Sequence, residues 1–143
     1  MNAYHDMVPA TPSIRIPEKG EPYLEGFICA DCGQAFLEEP SACPKCGSRK
    51  PMYSRVLEPR GTVYSYTIVH RSFPGVKTPF VMVVVDMADG LTMRASLEGV
   101  APEPSAVAFD MPVRLEFRDS GQADAEGHHY LSYVFVPDKG AAQ

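Results

Sequence analysis

The sequence predicts an all-β protein of two modules, a small ribbon braced by four cysteines and a five-stranded barrel behind it. Three observations carry this. Cys29, Cys32, Cys43 and Cys46 stand as two C-x2-C knuckles and are the only cysteines in the chain, a spacing that describes a tetrathiolate metal site. Fourteen prolines and eleven glycines punctuate 143 residues, which leaves little room for long helices and favours short strands joined by turns. From Val56 onward, β-branched and aromatic residues gather in short runs with the period of two that marks a strand.

Residues 1–24 carry prolines at positions 9, 12, 17 and 22 and little periodicity. They read as an extended N-terminal arm or tail of the kind that either frays or lies along a partner. Tyr4, Met7, Val8, Ile14, Ile16, Tyr23 and Leu24 make it too apolar for a pure linker, and a short docking helix is the alternative.

Residues 25–54 form the ribbon. In each knuckle, Cys-Ala-Asp-Cys-Gly and then Cys-Pro-Lys-Cys-Gly, the two-residue spacer lets both thiolates converge on one ion. Gly33 and Gly47 follow where a tight turn needs positive φ. Phe27, Ile28, Phe36 and Leu37 are expected to supply its core, and Pro40, Ser41 and Pro44 turn the chain between knuckles. The pattern reads as a rubredoxin-like ribbon holding structural Zn2+, with two disulfides or a redox iron as alternatives. The chain opens without a charged-then-apolar leader and has no apolar run of membrane-spanning length, which points to a soluble, cytoplasmic protein whose thiols stay reduced. A closed site of four thiolates leaves no open position for catalysis.

Residues 55–137 form the barrel and 138–143 a tail. Residues 62–69 (Thr-Val-Tyr-Ser-Tyr-Thr-Ile-Val) make the first strand, with Tyr64, Tyr66 and Ile68 facing one side. Residues 80–87 are nearly continuously apolar, as in a strand buried on both faces or at a barrel corner. Asp89-Gly90 signals a type I′ hairpin turn, after which residues 91–97 return with Leu91, Met93, Ala95 and Leu97 inward. Pro102 and Pro104 limit residues 101–108 to a short helical turn. Residues 113–117 alternate as a half-buried strand, 119–127 read as a polar loop, and 130–136 supply the fifth strand. Five strands with a short connection between the third and fourth match a small Greek-key barrel of the OB type. A β-sandwich would need about seven.

The net charge of −5 argues against wholesale attraction to nucleic acid. Its distribution says more. Lys45, Arg49, Lys50, Arg55, Arg60, Arg71 and Lys77 face the single acid Glu58 between positions 45 and 77, a net +6 that leaves −11 for the rest. Such a segment suits a small polyanion, such as a phosphorylated cofactor, or an acidic partner surface better than a long nucleic-acid track.

The knuckles followed by Arg60-Gly61-Thr62-Val63-Tyr64-Ser65-Tyr66-Thr67-Ile68-Val69-His70-Arg71 resemble the zinc-ribbon/OB-fold proteins of the DUF35 type, and Met111-Pro112-Val113 is similar as well. The resemblance spans roughly residues 24 to 136. It implies a noncatalytic partner of a thiolase or related condensing enzyme, an aldolase or a hydratase acting on acyl-CoA. The ribbon would pack on that enzyme in a heteromeric complex, and the barrel would help hold or channel the CoA part of the substrate.

CoA carries phosphates, so the positive segment is where they are expected: Lys45, Arg49, Lys50, Arg60, His70 and Arg71. Arginine forks readily onto phosphate, while the plainer reading of Arg60 and Arg71 is stems lying along the barrel with heads in water. Phe73 and Pro74, between two strands, are candidates for contact with a partner or an acyl chain. Tyr64 and Tyr66 are of the type with which OB barrels stack bases, though such tyrosines more often belong to a core. His128 and His129, in an acidic loop, are expected to face solvent.

No residue is assigned a catalytic role. There is no carboxylate-pair motif, no activated serine and no fifth cysteine, so a thiolase-like nucleophile must come from another chain. The chain alone is thus expected not to be an enzyme but a required subunit of a thiolase, acyltransferase or aldolase complex. A single-stranded nucleic-acid binder is the alternative from another class, since ribbons and OB barrels both serve that role.

Overall fold

A computed structural model describes Tyr4 and residues 6–138. Residues 1–3 and 5 of the arm, and the tail expected at 138–143 apart from Asp138, lie outside the described residues. The chain divides into two compact units, one of residues 1–58, 89–91 and 117–132, the other of 59–88, 92–116 and 133–143.

In the first unit the arm pairs with strands and holds no helix among its described residues. β1 (Val8–Pro9) runs parallel to Tyr130 and Leu131, and β2 (Ile14–Arg15) lies antiparallel to β3 (Tyr23–Ile28). Pro9, Pro12 and Pro17 remove the donors a helix needs, while Ile14 turns inward and is 1% exposed. β3 is the hub. β4 (Ala35–Phe36) pairs with Phe27 and Ile28, and β5 (Tyr53–Val56) pairs with residues 25–28.

The ribbon's buried core is Ile28 with Leu24, Ala35, Leu57 and Ile14. Of the four residues expected there, Phe27, Phe36 and Leu37 are only half-buried. The reason lies in the pleat: Leu24, Gly26 and Ile28 take the inward positions of β3, and Phe27 pairs with Phe36 on the other face.

The second unit is the five-stranded OB barrel. β6 (Arg60–Val69), β7 (Phe80–Met87) and β8 (Thr92–Leu97) form an antiparallel meander. The start of β9 (Pro112–Ala123) pairs antiparallel with β6, and β10 (His129–Pro137) meets β8 in parallel at Phe135 and Leu97. β9 and β10 also pair with each other, so the strand order runs around without an open edge. Val63, Val81, Val83, Val85, Met93, Leu97, Val113 and Phe135 fill the interior, each 4% exposed or less. The short turn before β9 is a 3-10 helix at Pro104–Ala106.

Four details differ from the sequence expectation. β7 is buried on one face only, with Val81, Val83, Val85 and Met87 inward and Asp86 exposed. The β7–β8 turn is not type I′, because Gly90 alone has positive φ (94°), and strand pairing stops at Asp86 and Thr92. The side chain of Asp89 is only 8% exposed; it binds the Arg55 guanidinium and accepts the Glu58 N–H. Residues 119–123 continue β9 as an exposed ribbon, so the loop expected at 119–127 shrinks to the turn that Asp124 closes by accepting the N–H of Glu126 and of His128.

The fourth difference concerns β6. Its register against β7 shifts between Val63 and Ser65, leaving Tyr64 as the extra residue of a β-bulge. Tyr64 is consequently 65% exposed instead of sharing the core. Val63 takes the inward place, and the loop before β9 docks there: the Val63 N–H donates to Met111 O at 3.0 Å and the Asp110 N–H to Val63 O at 2.7 Å.

Candidate metal centre and barrel surface

The two knuckles are built alike. Gly33 N–H donates to Cys29 O (2.9 Å) and Cys29 N–H to Gln34 O (2.9 Å); Gly47 N–H donates to Cys43 O (2.7 Å) and Cys43 N–H to Ser48 O (2.8 Å). Gly33 and Gly47 sit at φ 81° and 80°, a conformation that side chains on a β-carbon resist. Each turn thereby aims two sulfurs at one point.

The four sulfurs lie within 4.8 Å of one another. Cys29 and Cys46 stand 3.6 Å apart, as do Cys32 and Cys43. A tetrahedral ion with Zn–S bonds of about 2.3 Å separates its sulfurs by about 3.8 Å, whereas a disulfide would hold a pair at about 2.05 Å. All four are free thiols, so the arrangement is a four-cysteine, rubredoxin-like metal site and not two disulfides. Cys29 and Cys43 are buried, Cys32 and Cys46 exposed.

The electrostatics fit that reading. The Cys32 N–H, ahead of other donors, draws the Cys29 thiol down to about 6. The Ser48 N–H pulls Cys46 the same way, but burial and hydrogen bonds shared with the other three sulfurs push it up to about 12. Four thiolates at this spacing repel one another, and a divalent cation at their centre relieves that repulsion. Beside them Asp31 accepts a hydrogen bond from Lys50 at 3.0 Å. Ser48 first and then Lys50 hold the Asp31 carboxyl below the usual carboxylate range.

The expected phosphate-binding residues divide between the two units. Lys45 and Arg49 project exposed from the second knuckle, with Lys50 engaged by Asp31. Arg60 begins β6 and His70 and Arg71 follow its end, exposed. About 3.3 Å per residue gives β6 a contour near 30 Å, so Arg60 and Arg71 do not meet at one anion. His128 and His129 face solvent as expected, beside Asp124, Glu126 and Asp119.

Phe73 is 83% exposed at the tip of a turn in which Val76 N–H donates to Phe73 O (3.1 Å), and Pro74 is exposed with it. Close to this loop runs a groove of about 500 Å³ lined by Val76, Lys77, Phe80, Leu97, Glu98 and Val100. A second groove of about 490 Å³ lies along Arg60, Thr62, Asp86, Pro112 and Asp138.

Sequence reasoning missed two residues. Phe109, 66% exposed, rests against Tyr66 with ring centroids 5.6 Å apart. Arg114 stands in register opposite Arg60 and also pairs with Glu116 at 3.0 Å. Phe109 sits in an aperiodic loop with no local signal, and finding Arg114 requires the β6–β9 register, which no single strand reveals. No helix of the described residues is long and apolar enough to cross a membrane.

Comparison with known proteins adds to this geometry. Residues 18–51 match the family model of the ChsH2 rubredoxin-like zinc ribbon domain, and residues 54–118 that of the ChsH2 C-terminal OB-fold domain. The chain is 31% identical over 115 residues to the benzoylsuccinyl-CoA thiolase subunit BbsA of Thauera aromatica, covering 80% of this chain and 76% of that one. It is 26% identical over 117 residues to a DUF35 domain-containing scaffold protein of Methanocaldococcus jannaschii, covering 80% and 81%. Among solved structures, a chain of an Ltp2-ChsH2(DUF35) aldolase superposes with a TM-score of 0.63 at 29% identity, covering 80% of this chain and 84% of that chain.

Proposed function

This chain belongs to the DUF35/ChsH2 family of zinc-ribbon and OB-fold proteins, and we propose that it serves as a noncatalytic accessory subunit of an acyl-CoA thiolase or a related carbon–carbon bond enzyme. The observation that carries this reading is its likeness to a thiolase subunit across four-fifths of its length. The cysteine cluster supports it, because all four thiols of the chain converge on one metal site. Thiolase chemistry needs a thiolate that can attack a carbonyl. In this reading the partner enzyme supplies it.

The ion is proposed to be Zn2+, which favours a closed tetrahedral set of sulfurs and has no redox chemistry of its own. It fixes the ribbon as a docking module. Tyr53 and Val56 of β5, 52% and 59% exposed, give that module apolar side chains for a partner surface, and Lys45 and Arg49 beside the second knuckle attract acidic groups. Phe73 and Pro74 make a second apolar contact on the barrel. CoA phosphates are proposed to be drawn by the exposed cations, Arg60 foremost, with Lys50, His70 and Arg71 contributing field more than direct contact.

Coexpression with a thiolase-family chain tests this. The expected result is one heteromeric peak of fixed stoichiometry on gel filtration, carrying one zinc per copy of this chain. Separate elution of the two chains from each of several thiolase-family and aldolase-family candidates would remove the proposal.

A further inference from the structure

We propose that the outer edge of β5 takes an extended, acidic segment of the partner enzyme as an added strand; this rests on the accessory-subunit reading above and gives the ribbon's docking a place and a mode. Backbone parity decides which groups of β5 face outward. The Leu57 N–H donates to Leu24 O, and in the same register Arg55 stands opposite Gly26 and Tyr53 opposite Ile28. Hydrogen-bonded pairs alternate with non-hydrogen-bonded ones in an antiparallel ladder, so Tyr53, Arg55 and Leu57 commit their N–H and C=O groups to β3. Those of Met52, Ser54, Val56 and Glu58 point the other way. β2 and β4 lie along the opposite side of β3, where Glu25 N–H donates to Ser13 O and Cys29 N–H to Gln34 O. β5 is therefore an edge, and no other described strand pairs with it.

The two ends of that edge are closed and its middle is open. Met52 N–H donates to the Glu39 carboxylate at 3.2 Å, and Glu58 N–H to the carboxylate of Asp89. Between them the N–H groups of Ser54 and Val56 have no partner among the described residues. An unpaired strand edge is a template for another strand. The Arg55–Asp89 ion pair and the two carboxylate caps already hold β5 extended, so docking costs this side little ordering entropy.

Charge and register select the occupant. A second copy using the open groups would pair Ser54 with Val56 of the copy and set Arg55 directly opposite Arg55, which like charges disfavour. Sliding to oppose Ser54 with Ser54 brings Val56 against Met52, whose N–H is already taken by Glu39. A foreign strand meets neither obstacle. The acids at β5 are engaged: Glu39 and Asp89 cap its ends, and Glu25, in register with Val56, holds Arg15 at 2.9 Å. Lys45 and Arg49, exposed a few residues ahead of β5, have no side-chain partner among the described residues. The segment that fits lays an apolar residue beside Val56, which is 59% exposed, and directs acidic residues toward those two cations.

The test uses the full zinc-loaded chain and the thiolase-family chain with which it copurifies, and reads amide hydrogen exchange and complex affinity. In the free chain the Ser54 and Val56 amides are expected to exchange fast, and in the complex to slow by about tenfold or more. Val56→Pro deletes an outward donor that β3 does not use, a change that edge strands tolerate, and should weaken the complex at least about tenfold. Val56→Ala keeps the donor and should cost less than about fivefold. Both variants should retain their zinc. Lys45→Glu combined with Arg49→Glu should weaken the complex about tenfold, and an unchanged affinity would overturn the acidic character of the segment. A complex in which Ser54 and Val56 still exchange freely, and in which Val56→Pro binds as well as Val56→Ala, overturns strand addition and leaves the accessory-subunit reading standing. Protection that appears in the isolated chain and grows with its concentration assigns the edge to a second copy and overturns the proposal. Failure to form a complex with any thiolase-family or aldolase-family chain ends both readings.

Discussion

Cys29→Ser is expected to cost this protein its ribbon without altering any chemical step. Structural zinc contributes on the order of 10 kcal/mol to small ribbons and fingers, more than such modules hold in reserve. The ribbon's buried core of Leu24, Ile28, Ala35, Leu57 and Ile14 is small, and the knuckle hydrogen bonds close around the sulfurs themselves. Losing one thiolate removes a corner of the tetrahedron and releases Gly33 and Gly47 from their turns. Amide dispersion should disappear for residues 23–56 while the signals of β6, β7 and β8 persist, and a chelator that the parent resists should strip the metal. A dispersed ribbon in a variant shown to be metal-free would refute a structural role for the ion.

Gly61→Ala is the second change with a large expected effect. A β-carbon at Gly61 would come 2.3 Å from Asp86 O and 2.7 Å from Val85 Cγ1. The first of these is backbone, held in register by the β6–β7 pairing, so relief requires prising the two strands apart. Overpacking of this kind costs about 3 kcal/mol or somewhat more, which for a domain of this size lowers the melting temperature by on the order of 10 °C. Thr62→Ala, one residue on and exposed, is the matched control and should change stability by less than about 0.5 kcal/mol. Equal melting temperatures for the two variants would show that β6 and β7 do not approach as closely as described.

Much of the fold was legible because its signals are local. Two-residue spacers and trailing glycines announce the knuckles, and Met93, Ala95 and Leu97 take the inward places that their alternation implies. The missed features depend on partners far away in sequence. Tyr64 belongs to an unbroken run of strand formers, and only the shift of register against β7 marks it as a bulge. Asp89-Gly90 has the composition of a type I′ turn, yet Asp89 is engaged by Arg55 and Glu58, more than thirty residues earlier. Residues 118–123 hold no large apolar side chain and are exposed, so they carry no hydrophobic period, although their backbone continues the strand.

The candidate site divides the same way. Four cysteines in two knuckles specify a metal centre wherever the strands run. The juxtaposition of Arg60 on β6 with Arg114 on β9, by contrast, exists only through strand pairing. The charge count drew attention to the segment from Lys45 to Lys77, but Arg60 and Arg71 stand at opposite ends of one strand, and charge along a chain does not report distance in space.

The measurement that bears most directly on an accessory role is thiolysis of acyl-CoA by the copurified thiolase-family partner as this chain, zinc-loaded, is added back to it. The account predicts negligible turnover by either chain alone and a rate that rises with added chain and saturates at a fixed molar ratio. Full turnover by the partner alone, unchanged on addition, would contradict it, and so would turnover by this chain without a partner.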